Sequence, residues 1–208
     1  ARAMLDDGLL TRFPRPDYGL AAHVSNLPTG MVFIKDGASS AASDSYEITF
    51  HGRGAHGSMP SESIDPVVMG ARFVTDVQTV ISREREAGTF GVLTVGAFQS
   101  GTVANIIPDE ALVKVNLRSH EEGTRTLLKD GMTRTAKAVA AMSRAGEPTI
   151  AYLGGTGAVI NDTGLARSAS ALLKPLLGDG VVYVPAAVAP MSGSEDYSEF
   201  VNAGVPSL

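Results

Sequence analysis

The spacing of apolar and polar positions predicts strands in the middle of the chain. Between residues 45 and 52, Tyr46, Ile48 and Phe50 fall on one face of an extended chain, and polar side chains fall on the other. This alternation is typical of a strand that is buried on one side. The segments that we predict as strands are 45–52, 89–98, 110–119 and 148–154.

Two amphipathic helices are predicted between these strands, over residues 66–85 and 121–145, because apolar residues recur there at helical intervals. Asp65 followed by Pro66 supports the start of the first helix, since aspartate caps a helix and proline fits its first position. The order β-α-β-β-α-β predicts an α+β domain over residues 40–154. It has a four-stranded antiparallel sheet with both helices on one face.

The segments on either side of this domain, residues 1–39 and 155–208, have a different pattern. Their predicted elements are a strand at 18–24, a polar turn at 25–30, a helix at 164–177 and a strand at 180–185. Neither segment has a full apolar core of its own. We therefore interpret them as two parts of a second, α/β domain that the middle domain interrupts.

Composition and charge exclude several classes of function. The net charge is −5 and no basic tract occurs, so nucleic acid and anionic membranes are not expected as partners. The longest apolar run, 181–191, is too short to span a bilayer and contains two prolines. The absence of cysteine excludes disulfides and thiolate metal sites within this chain. Because the first residues do not read as a signal peptide, the cytoplasm is the expected location.

The sequence contains four histidines, and their spacing alone does not predict a metal site. His23 lies at the end of the predicted strand 18–24, where ligands of α/β proteins collect. It is either a metal ligand or an ordinary strand-end histidine. His51 is expected to point into solvent at its strand end, and His120 is expected to be exposed.

The remaining histidine, His56, lies in a loop with three glycines, Gly52, Gly54 and Gly57. Glycine adopts backbone conformations that other residues avoid, and it lets the chain pass close to a neighbour. Such a loop can hold an imidazole over a neighbouring surface. His56 is therefore either a functional group or an ordinary loop histidine.

Other polar residues have both a functional and a structural interpretation. Asn105, between the second and third strands, can offer its amide to a substrate carboxylate or carbonyl, or cap its own backbone in an Asx turn. Arg118, on the polar face of the third strand, can bind a carboxylate through two parallel hydrogen bonds or remain solvated. Ser192 and Glu195 fit a helix capping box.

Five stretches, taken in order, resemble one branch of a known enzyme family. They are YGLAAHVSNLPTG, ITFHGRGAHGSMPSESIDPV, ISRE, LTVGAFQSGTVANIIPDEALVKVNLRS and MSGSEDYSEF, and they extend over nearly the whole chain. The combination resembles the amidohydrolase branch of the aminoacylase and carboxypeptidase metallopeptidases. That branch includes hippurate hydrolases, N-acetyldiaminopimelate deacetylases and plant auxin–amino-acid hydrolases.

The resemblance implies a fold and a role for each candidate residue. The family fold is a zinc-binding α/β domain interrupted by a β-α-β-β-α-β lid domain that often forms a dimer. By this resemblance, His23 is a metal ligand. His56 reaches into an active site, in some members that of the partner subunit, and stabilises the oxyanion of the tetrahedral intermediate. Asn105 and Arg118 help to hold the substrate carboxylate or carbonyl, and the SGSEDY turn borders the site.

The resemblance also implies an activity: hydrolysis of the amide bond of N-acyl amino acids, with a divalent metal, zinc or manganese, in a homodimer. The family's general base and other metal ligands have no counterpart in this sequence. We therefore expect the chain to be the lid plus fragments of the catalytic domain, without metal and inactive alone. The alternative is a non-catalytic dimerisation module. A free-standing ferredoxin-like binding domain is disfavoured, because residues 155–208 resemble catalytic segments.

Overall fold

A computed structural model describes residues 1–26 and 28–208, so that Leu27 of the predicted turn 25–30 lies outside the described residues. The described chain divides into two compact units. The central unit is Ser43–Gly155, and the flanking unit combines Ala1–Ala42 with Thr156–Leu208.

The helices and strands are numbered here in chain order. The strands are β1 (Val32–Lys35), β2 (Gly37–Ala38), β3 (Ala42–His51), β4 (Ala55–His56), β5 (Gly91–Ser100), β6 (Ile106–Ile107), β7 (Glu110–Ser119), β8 (Thr149–Thr156), β9 (Ile160–Asn161) and β10 (Val181–Val184). The helices are α1 (Arg2–Asp6), α2 (Leu9–Arg12), α3 (Pro66–Asp76), α4 (Glu122–Met142), α5 (Thr163–Leu177) and α6 (Ser198–Asn202).

The central unit is built on a four-stranded sheet with the strand order β5-β7-β3-β8. The long pair β5–β7 is antiparallel, with Leu93 opposite Leu117 and Val95 opposite Val115. The prediction of an α+β unit with an antiparallel sheet is confirmed. Strand β7 has the predicted bounds, because the alternation of its inward and outward side chains is a local signal in the sequence.

Strand β5 contains a bulge that the alternation alone does not reveal. Its register against β7 shifts between Val95 and Ala97, which leaves Gly96 as the extra residue. After the extra residue, the side chains at even-numbered positions face the core instead of those at odd-numbered positions. Phe98 therefore pairs with Val113 on the core side. A glycine inside a strand pattern is the sequence signal for such a bulge.

One core lies between the sheet and the two helices. Its side chains come from β3, β5 and β7 on one side and from the helical segments on the other. They are Ile48, Phe50, Met69, Phe73, Val77, Val80, Leu93, Ala111, Val113, Val115, Leu117, Leu128, Met132, Ala136, Val139 and Ala140. Burying each large apolar side chain of this set contributes roughly 1.5–3 kcal/mol.

Helix α3 begins as predicted, with Pro66 in its first position. The carboxylate of Asp65 accepts hydrogen bonds from the backbone amides of Val67 at 2.8 Å and Val68 at 3.3 Å. The helix ends earlier than the predicted residue 85, at Asp76, and a wider helical turn follows at Val80–Glu84.

The flanking unit contains a parallel pair of strands, β1 and β10, with Ile34, Ala166 and Val181 forming a small core beneath α5. Asp36 follows β1 and accepts hydrogen bonds from the hydroxyls of Thr163 and Tyr183, each at 2.7 Å. These bonds hold the pKa of Asp36 below its usual value. Thus one carboxylate joins β1 to the start of α5 and to β10.

Two predictions in the flanking unit are wrong. Residues 18–24 do not form a strand; all but Gly19 are exposed, and the segment makes one isolated bridge, Gly19 with Ser207, and backbone hydrogen bonds with residues 206–208. A short apolar run does not by itself distinguish a buried strand from an extended surface segment. Glu195 does not form a capping box with Ser192 either, because α6 begins only at Ser198. No helix in the described residues is both long and apolar enough to cross a lipid bilayer.

Candidate active-site loop and strand pair

The segment that carries His56 leaves the end of β3 and forms a narrow two-stranded ribbon with the segment that precedes β7. Strand β4 pairs antiparallel with β6, with Ala55 opposite Ile107 and His56 opposite Ile106. The ribbon continues with a bond from the Gly57 amide to the Asn105 carbonyl, at 2.8 Å. His56 and Asn105 therefore lie at the same end of one ribbon.

Glycines in this ribbon are required by close packing of the backbone. A Cβ atom on Gly52 would lie 2.2 Å from the carbonyl oxygen of Ile64, and one on Gly54 would lie 2.7 Å from that of Ile107. Neither glycine has a positive φ. The predicted close approach is therefore present, whereas the predicted unusual backbone conformation is not. The Gly54 amide also donates to the carboxylate of Asp109 at 2.7 Å, which anchors the ribbon to the start of β7.

The ring of His56 is exposed, and its hydrogen-bond contacts are all at the Nδ1 atom. Its Nδ1 atom lies 2.7 Å from the hydroxyl of Ser58 and accepts a hydrogen bond from the Ser58 amide at 3.3 Å. The backbone around it forms a tight turn, in which the Met59 amide donates to the His56 carbonyl at 2.8 Å. The Nε2 edge therefore points away from these contacts, in a position to meet another molecule.

Arg118 lies near the far end of β7 from this ribbon. Its Nε atom donates to the Asn116 side-chain oxygen at 3.1 Å. The Asn116 amide in turn donates to the hydroxyls of Ser43 and Ser45. Arg118 is eight positions along the strand from Glu110, where β7 begins. At about 3.3 Å per residue, the two positions are roughly 26 Å apart. His56 and Asn105 are therefore neighbours in the ribbon, whereas Arg118 lies at the other end of β7, far from both.

His23 belongs to the flanking unit and is mostly exposed. Its Nε2 atom lies 2.7 Å from a carboxylate oxygen of Glu195. No cluster of three or more histidine, aspartate or glutamate side chains that could hold a metal occurs among the described residues. Because protein metal sites of this kind use at least three protein ligands, His23 and Glu195 do not make a metal site by themselves.

The other two histidines make contacts within the central unit. His51 faces away from the helices and lies between the carboxylate of Glu110, at 2.9 Å, and the hydroxyl of Thr149, at 2.8 Å. It thereby connects the ends of three neighbouring strands. His120 is half-buried and stacks on the ring of Phe90, with 4.0 Å between the ring centroids.

Sequence reasoning did not find two side chains that contact the candidate residues. Ser58 is only two residues from His56, and a hydroxyl so close to a loop imidazole is a signal that could have found it. Glu195 is 172 residues from His23, and no local pattern connects them.

Comparison with known proteins identifies the family. A family model described as the peptidase dimerisation domain of the M20 group matches residues 40–171. Hippurate hydrolase from Campylobacter jejuni is 36% identical over 143 residues, which are 67% of this chain and 37% of that protein. An uncharacterised hydrolase, y4tI, from Sinorhizobium fredii is 32% identical over 208 residues, which are 100% of this chain and 50% of that protein. The chain thus spans half or less of the length of these relatives.

Solved structures agree on the fold. The Bacillus subtilis YXEP protein, a dinuclear metal binding peptidase from the M20 family, superposes with a TM-score of 0.73 at 24% identity, over 99% of this chain and 49% of that one. The aminobenzoyl-glutamate utilization protein from Klebsiella pneumoniae gives a TM-score of 0.77 at 24% identity, over 100% of this chain and 52% of that one.

The resemblance found in the sequence motifs is therefore confirmed. The family model covers more than half of the chain and includes the ribbon, the sheet and both helices of the central unit. This chain belongs to the M20 peptidase family and contains its peptidase dimerisation domain.

Proposed function

We propose that the protein hydrolyses the amide bond of N-acyl amino acids, and that the central unit is the lid inserted into an α/β hydrolase domain. The observation that carries this proposal is the placement of His56 and Asn105 at one end of a single ribbon. The relatives support the reaction class, since one is named hippurate hydrolase and another, from Bacillus subtilis, N-acetylcysteine deacetylase. Both of these substrates are N-acyl amino acids.

In this proposal, each residue of the central unit has one task. His56 donates a hydrogen bond from Nε2 to the oxygen that becomes negatively charged when the amide carbonyl is attacked. Such a donor commonly contributes a factor of ~100–1000 in rate, because it stabilises charge that develops only in the transition state. The amide of Asn105 binds the substrate carbonyl or carboxylate beside it. Arg118 binds the carboxylate of the amino-acid part.

The proposal includes a divalent metal, zinc or manganese, and keeps His23 as one candidate ligand. The described residues alone do not form a three-ligand site. The residues of the central unit contribute hydrogen bonds to the proposed reaction.

We further propose that the central unit forms a homodimer along β5. This strand is an edge of the sheet, and it is ten residues long. Long edge strands with apolar side chains are templates for pairing with another chain. Exposed apolar side chains lie on β5, on the neighbouring helix α3 and on the β5–β7 connection: Val67, Val68, Phe98, Val103 and Ile106. Pairing of two copies would also allow Arg118 of one copy to act with His56 of the other.

A second candidate function is a dimerisation module without catalysis. It is supported by the position of the family match, which falls on the dimerisation domain rather than on a metal centre. The two functions differ in whether His56 contributes to catalysis.

Substituting His56→Ala in the hydrolytically active protein tests the catalytic proposal. With hippurate as substrate, we expect kcat to fall by ~100–1000-fold, with a much smaller change in KM, since the lost interaction belongs to the transition state. His120→Ala is the matched control, because it removes a histidine of the same unit that stacks on Phe90 instead of lining the ribbon. Unchanged kcat in His56→Ala would refute the oxyanion role and leave the dimerisation module.

A further inference from the structure

In the turn that follows His56, three consecutive backbone amides donate hydrogen bonds to three different acceptors. The Gly57 amide donates across the ribbon to the Asn105 carbonyl, and the Met59 amide donates to the His56 carbonyl, each at 2.8 Å. Between them, the Ser58 amide donates at 3.3 Å to the Nδ1 atom of the His56 ring. The turn thus aims one backbone N–H at the imidazole.

This contact fixes the role of the ring nitrogen. A backbone amide can only donate, so Nδ1 of His56 must be the acceptor of this bond. The hydroxyl of Ser58 lies 2.7 Å from the same nitrogen and can also donate to it. In a neutral imidazole, only one ring nitrogen carries a proton. When Nδ1 accepts a hydrogen bond, the proton must therefore be on Nε2. Among the described residues, Nε2 has no hydrogen-bond partner.

We propose that Ser58 is a positioning residue that holds His56 in the tautomer with its proton on Nε2. The serine amide donates to Nδ1 and so selects the tautomer, while the hydroxyl, 2.7 Å from the same nitrogen, holds the ring in place. The opposite nitrogen is thereby kept as a donor and pointed away from the loop. This inference rests on the proposed function, because an Nε2–H donor is what an oxyanion needs, whereas the opposite tautomer would present a lone pair to a negative oxygen.

The loop geometry explains why the hydroxyl is needed in addition to the amide. At 3.3 Å the amide bond is longer than the usual 2.9–3.0 Å and is therefore weaker, while 2.7 Å is a normal distance for a hydroxyl donor. Because a hydroxyl can donate or accept, the Ser58 side chain does not choose the tautomer itself; it holds the ring where the Ser58 amide, which can only donate, reaches Nδ1. Removing the hydroxyl leaves only the longer amide bond, so that the ring can turn away from the amide and take up its other tautomer.

The tautomer can be measured directly by long-range ¹H–¹⁵N correlation spectra of the chain labelled with ¹⁵N-histidine, recorded at alkaline pH. The sequence has four histidines, so the His56 signals are identified by their loss in His56→Ala. We expect wild-type His56 to be protonated at Nε2. In Ser58→Ala, the ratio of the two tautomers should fall by about fivefold, the equivalent of one ordinary hydrogen bond. Ser58→Thr, which keeps a hydroxyl, should restore it.

Ser63→Ala is the matched control, since Ser63 lies in the same loop and its hydroxyl donates to the Pro60 carbonyl at 2.8 Å instead of to a ring. A wild-type ring protonated at Nδ1, or a Ser58→Ala spectrum identical to that of Ser63→Ala, would overturn the proposal.

Kinetics separate this inference from the proposed function. In the active protein, Ser58→Ala should lower kcat by about tenfold, less than the loss of His56 itself, with Ser58→Thr close to wild type. Full kcat in Ser58→Ala, together with a large loss in His56→Ala, would overturn the role of Ser58 alone. Full kcat in both variants, with the tautomer shift observed, would refute the oxyanion role and leave the tautomer assignment standing.

Discussion

The carboxylate of Asp44 is the centre of a cluster of charged and aromatic side chains on the helix-covered face of the sheet. It is 1% exposed, and Arg125 binds it through two hydrogen bonds of 2.7 and 2.8 Å. Lys129 lies 3.3 Å from it and the hydroxyl of Tyr152 lies 3.2 Å away. A buried carboxylate is expensive unless it is paired, and here four donor groups from two elements converge on it.

Burial alone would raise the pKa of Asp44, but the hydrogen bond and charge of Arg125, with the charge of Lys129, outweigh it and lower the pKa below its usual value. A lowered pKa in the folded state means that the carboxylate stabilises the fold above its unfolded-state pKa, about 4. This contribution is lost as the pH falls through the lower, folded-state pKa.

We expect Asp44→Asn to lower the free energy of unfolding by about 3 kcal/mol at pH 7. This value is at the low end for a broken buried pair, because Arg125 and Lys129 are partly exposed. The difference from wild type should shrink as the pH falls below about 4, since the carboxylate of the unfolded wild-type chain then takes up a proton while the folded carboxylate stays ionised. Urea unfolding at pH 7 and at pH 3 measures both.

The matched control for this experiment is Asp130→Asn, at an exposed position of α4. It should change the free energy of unfolding by less than about 0.5 kcal/mol at either pH, as surface substitutions usually do. A difference between Asp44→Asn and wild type that is the same at both pH values would contradict the lowered pKa.

At the level of elements, helix α4 contains two glycines with different surroundings. A Cβ atom on Gly131 would lie 2.6 Å from a methyl carbon of Val80, whereas one on Gly123 would have no atom within 4 Å. Val80 is fully buried and β-branched, so it has little freedom to move aside. The absence of a side chain at Gly131 therefore lets α4 pack closely on the helical turn that contains Val80.

Alanine at the two positions should have opposite effects on stability. Alanine is favoured over glycine in a helix by up to about 1 kcal/mol, but overpacking of a core usually costs about 1–3 kcal/mol. We therefore expect Gly131→Ala to lower the free energy of unfolding by about 1 kcal/mol or more. Gly123→Ala should leave it unchanged or raise it by up to about 1 kcal/mol. Urea unfolding of both variants checks this, and stabilisation by Gly131→Ala would contradict the close packing.

Elements with their own local signals could be predicted from the sequence. The alternation of β7 and the Asp65–Pro66 start of α3 depend on residues next to one another, and both are found as predicted. Gly96 inside the strand pattern is a local signal of a bulge, but the bulge is established only by the register of β5 against β7. The segment 18–24 is apolar enough for a strand, but only Gly19 makes a bridge.

In the candidate site too, features set by neighbouring residues could be predicted from the sequence, and contacts between distant residues could not. The glycine-rich loop identified His56, and the structure adds the ribbon that brings Asn105 beside it. Asp44 was not predicted as a buried charge, because its partners Arg125 and Tyr152 lie 81 and 108 residues away in the sequence. Contacts of that separation leave no pattern that a single sequence can reveal.

At the level of the whole molecule, the proposed dimer makes a specific prediction about the two edges of the central sheet. Val67 on α3 is 37% exposed beside the end of β5, where it lines a groove with Ser100 and Ile106, and Leu153 on β8 is 56% exposed at the opposite edge. In a symmetric dimer each copy presents the same residue to the interface, so a glutamate at Val67 places like charges close together. We expect wild type to sediment as a dimer of about 43 kDa, twice the 21.5 kDa of the chain.

Val67→Glu should raise the dimer dissociation constant by at least about tenfold, the equivalent of about 1.4 kcal/mol, while Leu153→Glu should leave it unchanged. Sedimentation velocity over a range of concentrations measures both. Both residues are exposed, so that neither substitution is expected to unfold the central unit, and circular dichroism confirms this independently. Dissociation by Leu153→Glu alone would place the interface at β8 instead. A wild-type chain that remains at 21.5 kDa at high concentration would show that β5 does not pair two copies of this chain.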